Sequence, residues 1–376
     1  MLDYKISVIV NPEGQARDFG HKVHNSIQDR VVEFGGREED VELNRLEVQY
    51  FPDGEFLPRI TGNCRRRNCV YIHDSNLHPG VWFTQLDFVN DALKGSSIHE
   101  KLICIPYFDF SRQDNPQRSR EPTSAKDVAK IINDSHTKGL TMDVHNDTIR
   151  GFFDIPFFSL PIFPTLHEYL EKNYPKILEN LVVVGADQTA LKRNKNRKHI
   201  NRYGYDIAII DKDRKITGDL GESLGVLGAD RIPGKDVLLL DDMGATGGSL
   251  IDGSKAVKNA GAREVYAWVT HGLFTEGYEK IKDHFDIIFI GNTIKQPLVP
   301  GEGIRITKYA LKGFPEEIRS QLPNKEYVFL SDILRLQPPY RDFKLPDNVK
   351  TISLEDRYGD AIFRICTDQS LSEIID

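Results

Sequence analysis

Two adjacent carboxylates followed by small and hydroxyl-bearing residues, Asp241, Asp242, Met243, Gly244, Ala245, Thr246, Gly247, Gly248 and Ser249, form the stretch of this 376-residue chain best suited to chemistry. The apolar run Val237–Leu240 before them predicts a short parallel strand covered on both faces. A helix is expected to follow over Leu250–Asn259. Hydroxyls, uncrowded backbone N–H groups and the positive end of a helix together cradle a phosphate. Aspartates beside an anion cost energy unless a cation or a set of hydroxyls lies between them, so ribose hydroxyls with Mg2+ fit here. A strand ending in an ordinary polar turn explains the glycines, but not two consecutive aspartates with Thr-Gly-Gly-Ser behind them.

Four further segments carry reactive side chains. In Gly139–His145 a strand period of two residues puts Asp143 and His145 on one face, with His145 at the carboxyl end. Downstream of the apolar run ending at Ile105, a long polar loop holds Arg112, Gln113, Asp114, Arg118 and Arg120, a composition suited to clamping anions. Phe51-Pro52-Asp53-Gly54-Glu55 sets an aromatic ring and two carboxylates around a turn, which suits a base bearing an exocyclic amine. Lys212 and Arg214 follow the apolar run Asp206–Ile210 and open a polar stretch, Asp211–Asp219, able to fold over an anionic substrate.

The elements that must position these residues alternate between apolar runs and amphipathic stretches, the pattern of βαβ units. Strands are predicted at Ile6–Val10, Cys69–Ile72, Lys101–Ile105, Gly139–Val144, Leu181–Gly185, Asp206–Ile210, Val237–Leu240, Glu264–Val269 and Ile287–Ile290. Helices are predicted at Gln15–Gln28, Val81–Leu93, Ser124–Ile132, Leu166–Asn173 and Ser249–Ala260. The Pro-rich, weakly periodic stretch Phe157–Thr165 reads as the boundary between two α/β halves, residues 1–160 and 161–376.

Composition excludes several classes. A formal charge of −7 speaks against a general nucleic-acid binder, and the basic run Lys192–Lys198 reads as a solvated helix face. The longest apolar runs fall short of a membrane span and the first residues lack a basic-then-apolar leader, so a cytoplasmic enzyme away from membranes is expected. Four cysteines are too few for a disulfide scaffold, and Cys64, Cys69, His73 and His78 read as core and ordinary residues rather than a zinc site.

Taken in order, Phe51–Glu55, Ile105–Lys126, Thr141–His145, Gly151–Pro156, Val182–Asp187, Lys212–Arg214, Asp241–Ser249 and Thr270–Phe274 resemble the ribose-phosphate pyrophosphokinases, a branch of the phosphoribosyltransferase superfamily. The likeness runs from about Phe51 to Ile294 and returns at Thr351–Ile374. It implies two phosphoribosyltransferase-like α/β domains, each a largely parallel sheet flanked by helices. The implied reaction moves the diphosphoryl group of MgATP to the C1 hydroxyl of ribose 5-phosphate, giving PRPP and AMP. Carried over by motif, Phe51, Asp53, Glu55, Arg112 and Gln113 bind ATP; the Phe51 hairpin serves a neighbouring subunit's site. His145 and Asp187 match metal-binding positions for Mg2+. Asp241 and Asp242 hold the ribose hydroxyls, Gly244, Ala245, Thr246, Gly247, Gly248 and Ser249 the 5-phosphate, while Lys212 and Arg214 stabilise the reacting phosphates. The implied partners are ATP, ribose 5-phosphate and further copies of the chain, in a dimer or hexamer with a shared active site.

Three departures accompany the resemblance. Ala245 stands where many relatives have an acid, and Gln188, Thr189 and Ala190 follow Asp187 where small glycines are usual, so phosphates are expected to approach that backbone less closely. Residues 295–350 replace a short connection and are expected to form an added lobe that alters assembly or regulation. Two alternatives stand beside the active enzyme: a catalytically silent associated subunit, and a phosphoribosyltransferase that consumes PRPP. The latter needs a separate base-binding hood that Phe51–Glu55 and Arg118–Lys126 do not resemble.

Overall fold

The computed structural model describes residues 5–186, 196–218, 221–299, 303–307, 311, 313–322, 327–337 and 340–375. Two seven-stranded sheets dominate. The first contains β1 (Ile6–Val10), β2 (Val41–Tyr50), β3 (Phe56–Thr61), β4 (Asn68–Ile72), β5 (Glu100–Ile105), β6 (Lys138–Met142) and β7 (Phe157–Leu160), in the order β3-β2-β1-β4-β5-β6-β7. Only β3 runs antiparallel to its neighbour. The second contains β8 (Leu181–Gly185), β9 (Asp206–Gly218), β10 (Gly221–Leu227), β11 (Asp236–Gly244), β12 (Val265–Gly272), β13 (Ile287–Gly291) and, after the lobe's own β14 and β15, β16 (Val349–Ile352). Its order is β10-β9-β8-β11-β12-β13-β16, with β10 antiparallel. Each sheet therefore reverses its strand order once, between β1 and β4 and between β8 and β11.

Helices α1 (Arg17–Glu33), α2 (Pro79–Lys94), α3 (Ser124–Asn133), α4 (Phe163–Asn173), α5 (Gly248–Asn259) and α6 (Glu355–Cys366) cover the faces. The central strands are rich in apolar residues, and β1, β8 and β12 are buried at every position. One apolar cluster joins the halves: α6 returns to the first sheet, its Phe363 5.1 Å from Phe34 and its Tyr358 5.7 Å from Phe19. The Tyr358 hydroxyl donates to the Leu140 carbonyl at 3.0 Å. Cys64, Cys69 and Cys104 are buried free thiols.

Several expectations change at this level. Phe157–Thr165 is regular rather than irregular, because Phe157–Leu160 pairs with β6 as an edge strand and α4 begins at Phe163. Its prolines, Pro161 and Pro164, fall between strand and helix and in the first helical turn, where a missing N–H costs nothing. The strand expected to stop at Ile210 continues to Gly218 as half of a hairpin with β10. Within 295–350 lies a small lobe: β14 (Arg305–Thr307) pairs with β15 (Tyr327–Phe329), and Leu311, Val328 and Ile333 form a small core of their own.

Candidate active site

The open crevice lies where the carboxyl ends of β6 and β11 meet. β11 does not end at Leu240; it pairs with β8 only as far as Leu240–Gly185 but with β12 through Gly244–Gly272. Asp241 and Asp242 therefore stand on a strand supported from one side, beyond the reach of β8, at the second sheet's point of strand reversal. Ligands of open α/β sheets bind at that position. The turn that follows has Gly247 at φ 85° capping α5, a backbone conformation that a β-carbon would strain. Phe274 N donates to the Gly244 carbonyl at 2.8 Å and Thr275 N to the Ala245 carbonyl at 2.9 Å, so β12's extension anchors the loop from behind. Thr246, Gly248 and Ser249 remain exposed at the head of α5.

Across the crevice, His145 Nδ1 lies 2.8 Å from Asp242 Oδ2. This pair joins residues of the two halves, with 37% of the His145 side chain and 10% of the Asp242 side chain exposed. The expected strand alternation of Asp143 and His145 is overturned: β6 ends at Met142, and Asp143 takes φ 32°, which turns the chain. Asp143 is buried and accepts from Asn196 Nδ2 at 3.0 Å and from Thr270 Oγ1 at 2.6 Å. Burial pushes its carboxyl up to about 7, against the pull of those two donors. Next to it, buried His271 contacts the Met142 carbonyl through Nε2 at 3.1 Å and Thr293 Oγ1 through Nδ1 at 2.9 Å. Burial lowers the imidazole to about 4, so it is neutral, and Nε2 must carry the proton that meets the carbonyl. Asp143, Asn196, Thr270 and His271 thus fix the two strand ends against each other. Their spacing, 53 and 127 residues for the Asp143 bonds, left no local signal.

The Arg112–Gln113 loop reaches the same crevice. Asp114 Oδ2 accepts from Asn146 Nδ2, next to His145, at 2.6 Å, and Ser124 Oγ donates to Gln113 Oε1 at 2.6 Å. In the same loop Asp109 is pushed up to about 7 by burial, with Arg112 pulling the other way. This carboxyl carried no sequence signal. Lys212 is exposed and sits in a β-bulge: Asp211 pairs with Gly225 but Lys215 with Leu224, so Lys212, Asp213 and Arg214 are extra residues. Bulges re-aim side chains and recur beside active sites. The backbone of Arg214 belongs to β9, and its side chain lies outside the described residues, as do Asp187 and Gln188–Ala190.

Phe51, Asp53 and Glu55 are not brought to this crevice within one chain. They form the tip of the β2–β3 hairpin, closed by Phe51 N donating to the Glu55 carbonyl at 2.8 Å and Glu55 N to Asp53 Oδ1 at 3.1 Å. β3 is the outer edge of the first sheet, five strands from β6, or roughly 24 Å at the usual strand spacing. Asp53 and Glu55 are exposed there.

Among the described residues, no three His, Cys, Asp or Glu side chains gather as a metal centre. Of the two positions expected to hold Mg2+, His145 keeps a partly exposed imidazole here, and Asp187 lies outside the described residues. Among the described residues no helix is long and apolar enough to cross a membrane.

Residues 14–135 match the family described as the N-terminal domain of ribose phosphate pyrophosphokinase. The chain is 33% identical over 274 residues to the ribose-phosphate pyrophosphokinase of Thermotoga maritima, covering 72% of this chain and 85% of the relative. It is 35% identical over 260 residues to that of Bacillus subtilis, covering 68% and 80%. In fold it is similar to the phosphoribosylpyrophosphate synthetase from Mycobacterium smegmatis, with a TM-score of 0.69, 20% identity, and coverage of 97% and 99%. The two largely parallel sheets flanked by helices are accordingly the fold of that synthetase. The chain belongs to the ribose-phosphate pyrophosphokinase family.

Proposed function

We propose that the crevice between β6 and β11 is where this chain carries out the family's reaction, with the residue roles set out below. The chain transfers the diphosphoryl group of ATP to the C1 hydroxyl of ribose 5-phosphate, giving PRPP and AMP. The observation that carries the assignment is the meeting of His145 from the first half with Asp242 from the second, at 2.8 Å, beside the exposed head of α5.

Asp241 and Asp242 accept the ribose hydroxyls, and the 244–249 turn receives the 5-phosphate on its backbone N–H groups and the hydroxyls of Thr246 and Ser249. This orients the C1 oxygen toward the β-phosphorus of ATP. The new bond forms between them as the bond from that phosphorus to the α,β-bridging oxygen breaks, and the hydroxyl proton is released. Charge spreads over the bridging and nonbridging oxygens, so fixed cations contribute most. Lys212 and Arg214 supply them from the bulge, which the hairpin can bring over the phosphates while excluding water. Arg112 and Gln113 hold ATP. Mg2+, held by His145 and Asp187, supplies charge neutralisation to the phosphates when bound.

The edge position of Phe51, Asp53 and Glu55 supports a shared site in a homo-oligomer, where the hairpin of one copy contacts the adenine bound by another. Neither nucleic acid nor membrane is required, and the cytoplasm is the compartment this reading assigns. Lys212→Ala tests the roles: steady-state kinetics should show kcat lower by about 10²–10³ with ATP binding changed far less. Unchanged turnover removes Lys212 from the reacting phosphates.

A further inference from the structure

The lobe reaches the nucleotide-side hairpin through a row of aromatic rings. Phe329, the last residue of β15, meets Tyr50 edge-on with ring centroids 5.4 Å apart. Tyr50 is the cross-strand partner of Phe56, their rings 6.0 Å apart, and Phe56 lies 5.6 Å from Phe88 of α2. Tyr50 and Phe56 are the last pair before the Phe51–Glu55 turn, so the base of the hairpin is gripped between α2 on one side and the lobe on the other. The lobe itself is seated closely on the first half. A β-carbon on Gly303, whose φ is 81°, would lie 2.8 Å from Val81 Cγ1 and 3.2 Å from Leu77 Cδ2. Two reciprocal bonds of 3.0 Å, Asn76 Nδ2 to the Lys295 carbonyl and Lys295 N to Asn76 Oδ1, tie down the chain that enters it.

β2 pairs with β1 only as far as Arg45, so Leu46–Tyr50 and Phe56–Ile60 run on as a two-stranded ribbon at the sheet edge, an arrangement marginal in water on its own. Whatever orders its base sets how much ordering is left for ligand binding to supply, and that remainder lowers apparent affinity. We propose that the lobe is a positioning element for the nucleotide, with Phe329 the residue through which it holds the Phe51–Glu55 hairpin in its binding shape. Phe329 touches neither substrate; it acts through Tyr50. The inference rests on the assignment of that hairpin to adenine, and it gives the region 295–350 a role in nucleotide affinity.

The test is steady-state kinetics on the full chain, varying ATP at saturating ribose 5-phosphate and the reverse. Phe329→Ala should raise KM for ATP about 2- to 10-fold, the range for losing one aromatic contact, with kcat and KM for ribose 5-phosphate within about twofold. Phe329→Tyr, which keeps the ring, should restore the ATP value. Gly303→Ala, which must displace the lobe without removing a ring, should give the same selective rise and carries the test if Phe329→Ala fails to fold. A purely structural role predicts less active protein with an unchanged KM for ATP, and that result overturns the proposal. Phe51→Ala separates the two readings: if it leaves KM for ATP unchanged, the adenine assignment falls and the inference with it. If Phe51→Ala raises that KM while neither lobe variant does, the inference alone falls.

Discussion

The two sheets reverse their strand order at equivalent places, yet the heads of the helices beside those places are built differently. At the first, between β1 and β4, the head of α1 is satisfied from within: Asp74 Oδ2 accepts from Ala16 N at 3.2 Å and Asp74 Oδ1 from Asn76 N at 2.9 Å. The chain's own carboxylate sits where an anionic ligand would, and the lobe packs over Leu77 and Val81 beside it. At the second, between β8 and β11, Gly248 N at the head of α5 meets the neighbouring Thr246 Oγ1 at 3.5 Å, and Thr246, Gly248 and Ser249 face solvent with Asp241 and Asp242 alongside. Topology supplies two places for a ligand. The residues at the helix heads decide that one becomes a structural joint and the other a site.

Substitutions at the two places should separate stability from catalysis. The largest effect is expected at the open crevice: Asp242→Asn should lower kcat/KM for ribose 5-phosphate by about 10²–10³, measured by coupled assay of AMP release. Loss of stability without loss of rate there would invert the comparison. At the first reversal Asp74→Ala should cost about 1–3 kcal/mol in chemical denaturation, because two backbone donors lose a buried acceptor, while rates per folded enzyme stay unchanged.

Acid comes next in size. Burial lowers His73 and His136 to about 3 and His271 to about 4. These imidazoles are neutral in the fold, whereas unfolded ones protonate near pH 6.5, so their stability is complete above roughly that pH and lost as pH falls. Asp109 and Asp143, both pushed up to about 7, have the opposite sign: their cost grows as pH rises from about 4 to 7. Between pH 7 and pH 5 the imidazoles lose stability while the carboxyls gain it, so the two sets oppose each other. Thermal melts across that range check it, and His271→Gln, which removes one imidazole, should raise stability at pH 5 relative to pH 7. The smallest effect is Gly247→Ala, with φ at 85° and Ile281 Cδ1 only 3.1 Å from the new carbon. A loss of about 1 kcal/mol is expected by thermal melting, with a modest rise in KM for ribose 5-phosphate.

The ribose-side loop was legible because strand, carboxylates, small residues and helix are contiguous, and each local preference agrees with the next. The 13-residue β9, with Lys212 in a bulge, was not. Its second half is polar, and only pairing with β10 makes it a strand. Likewise the edge strands β3, β7 and β10 lack the unbroken apolar run of a central strand, since one side of an edge strand meets no partner.

Contiguous residues thus determined the α/β character, the buried central strands and the glycine-rich turn at the head of α5, because helix period, strand burial and turn chemistry are short-range properties. Tertiary structure alone decided that His145 faces Asp242, that Asp143 is buried between Asn196 and Thr270, and that α6 returns to α1. It also set Asp74 against the head of α1 and Phe329 against Tyr50. Those pairings join residues tens to hundreds of positions apart, and only the packing of two finished sheets brings them within bonding distance.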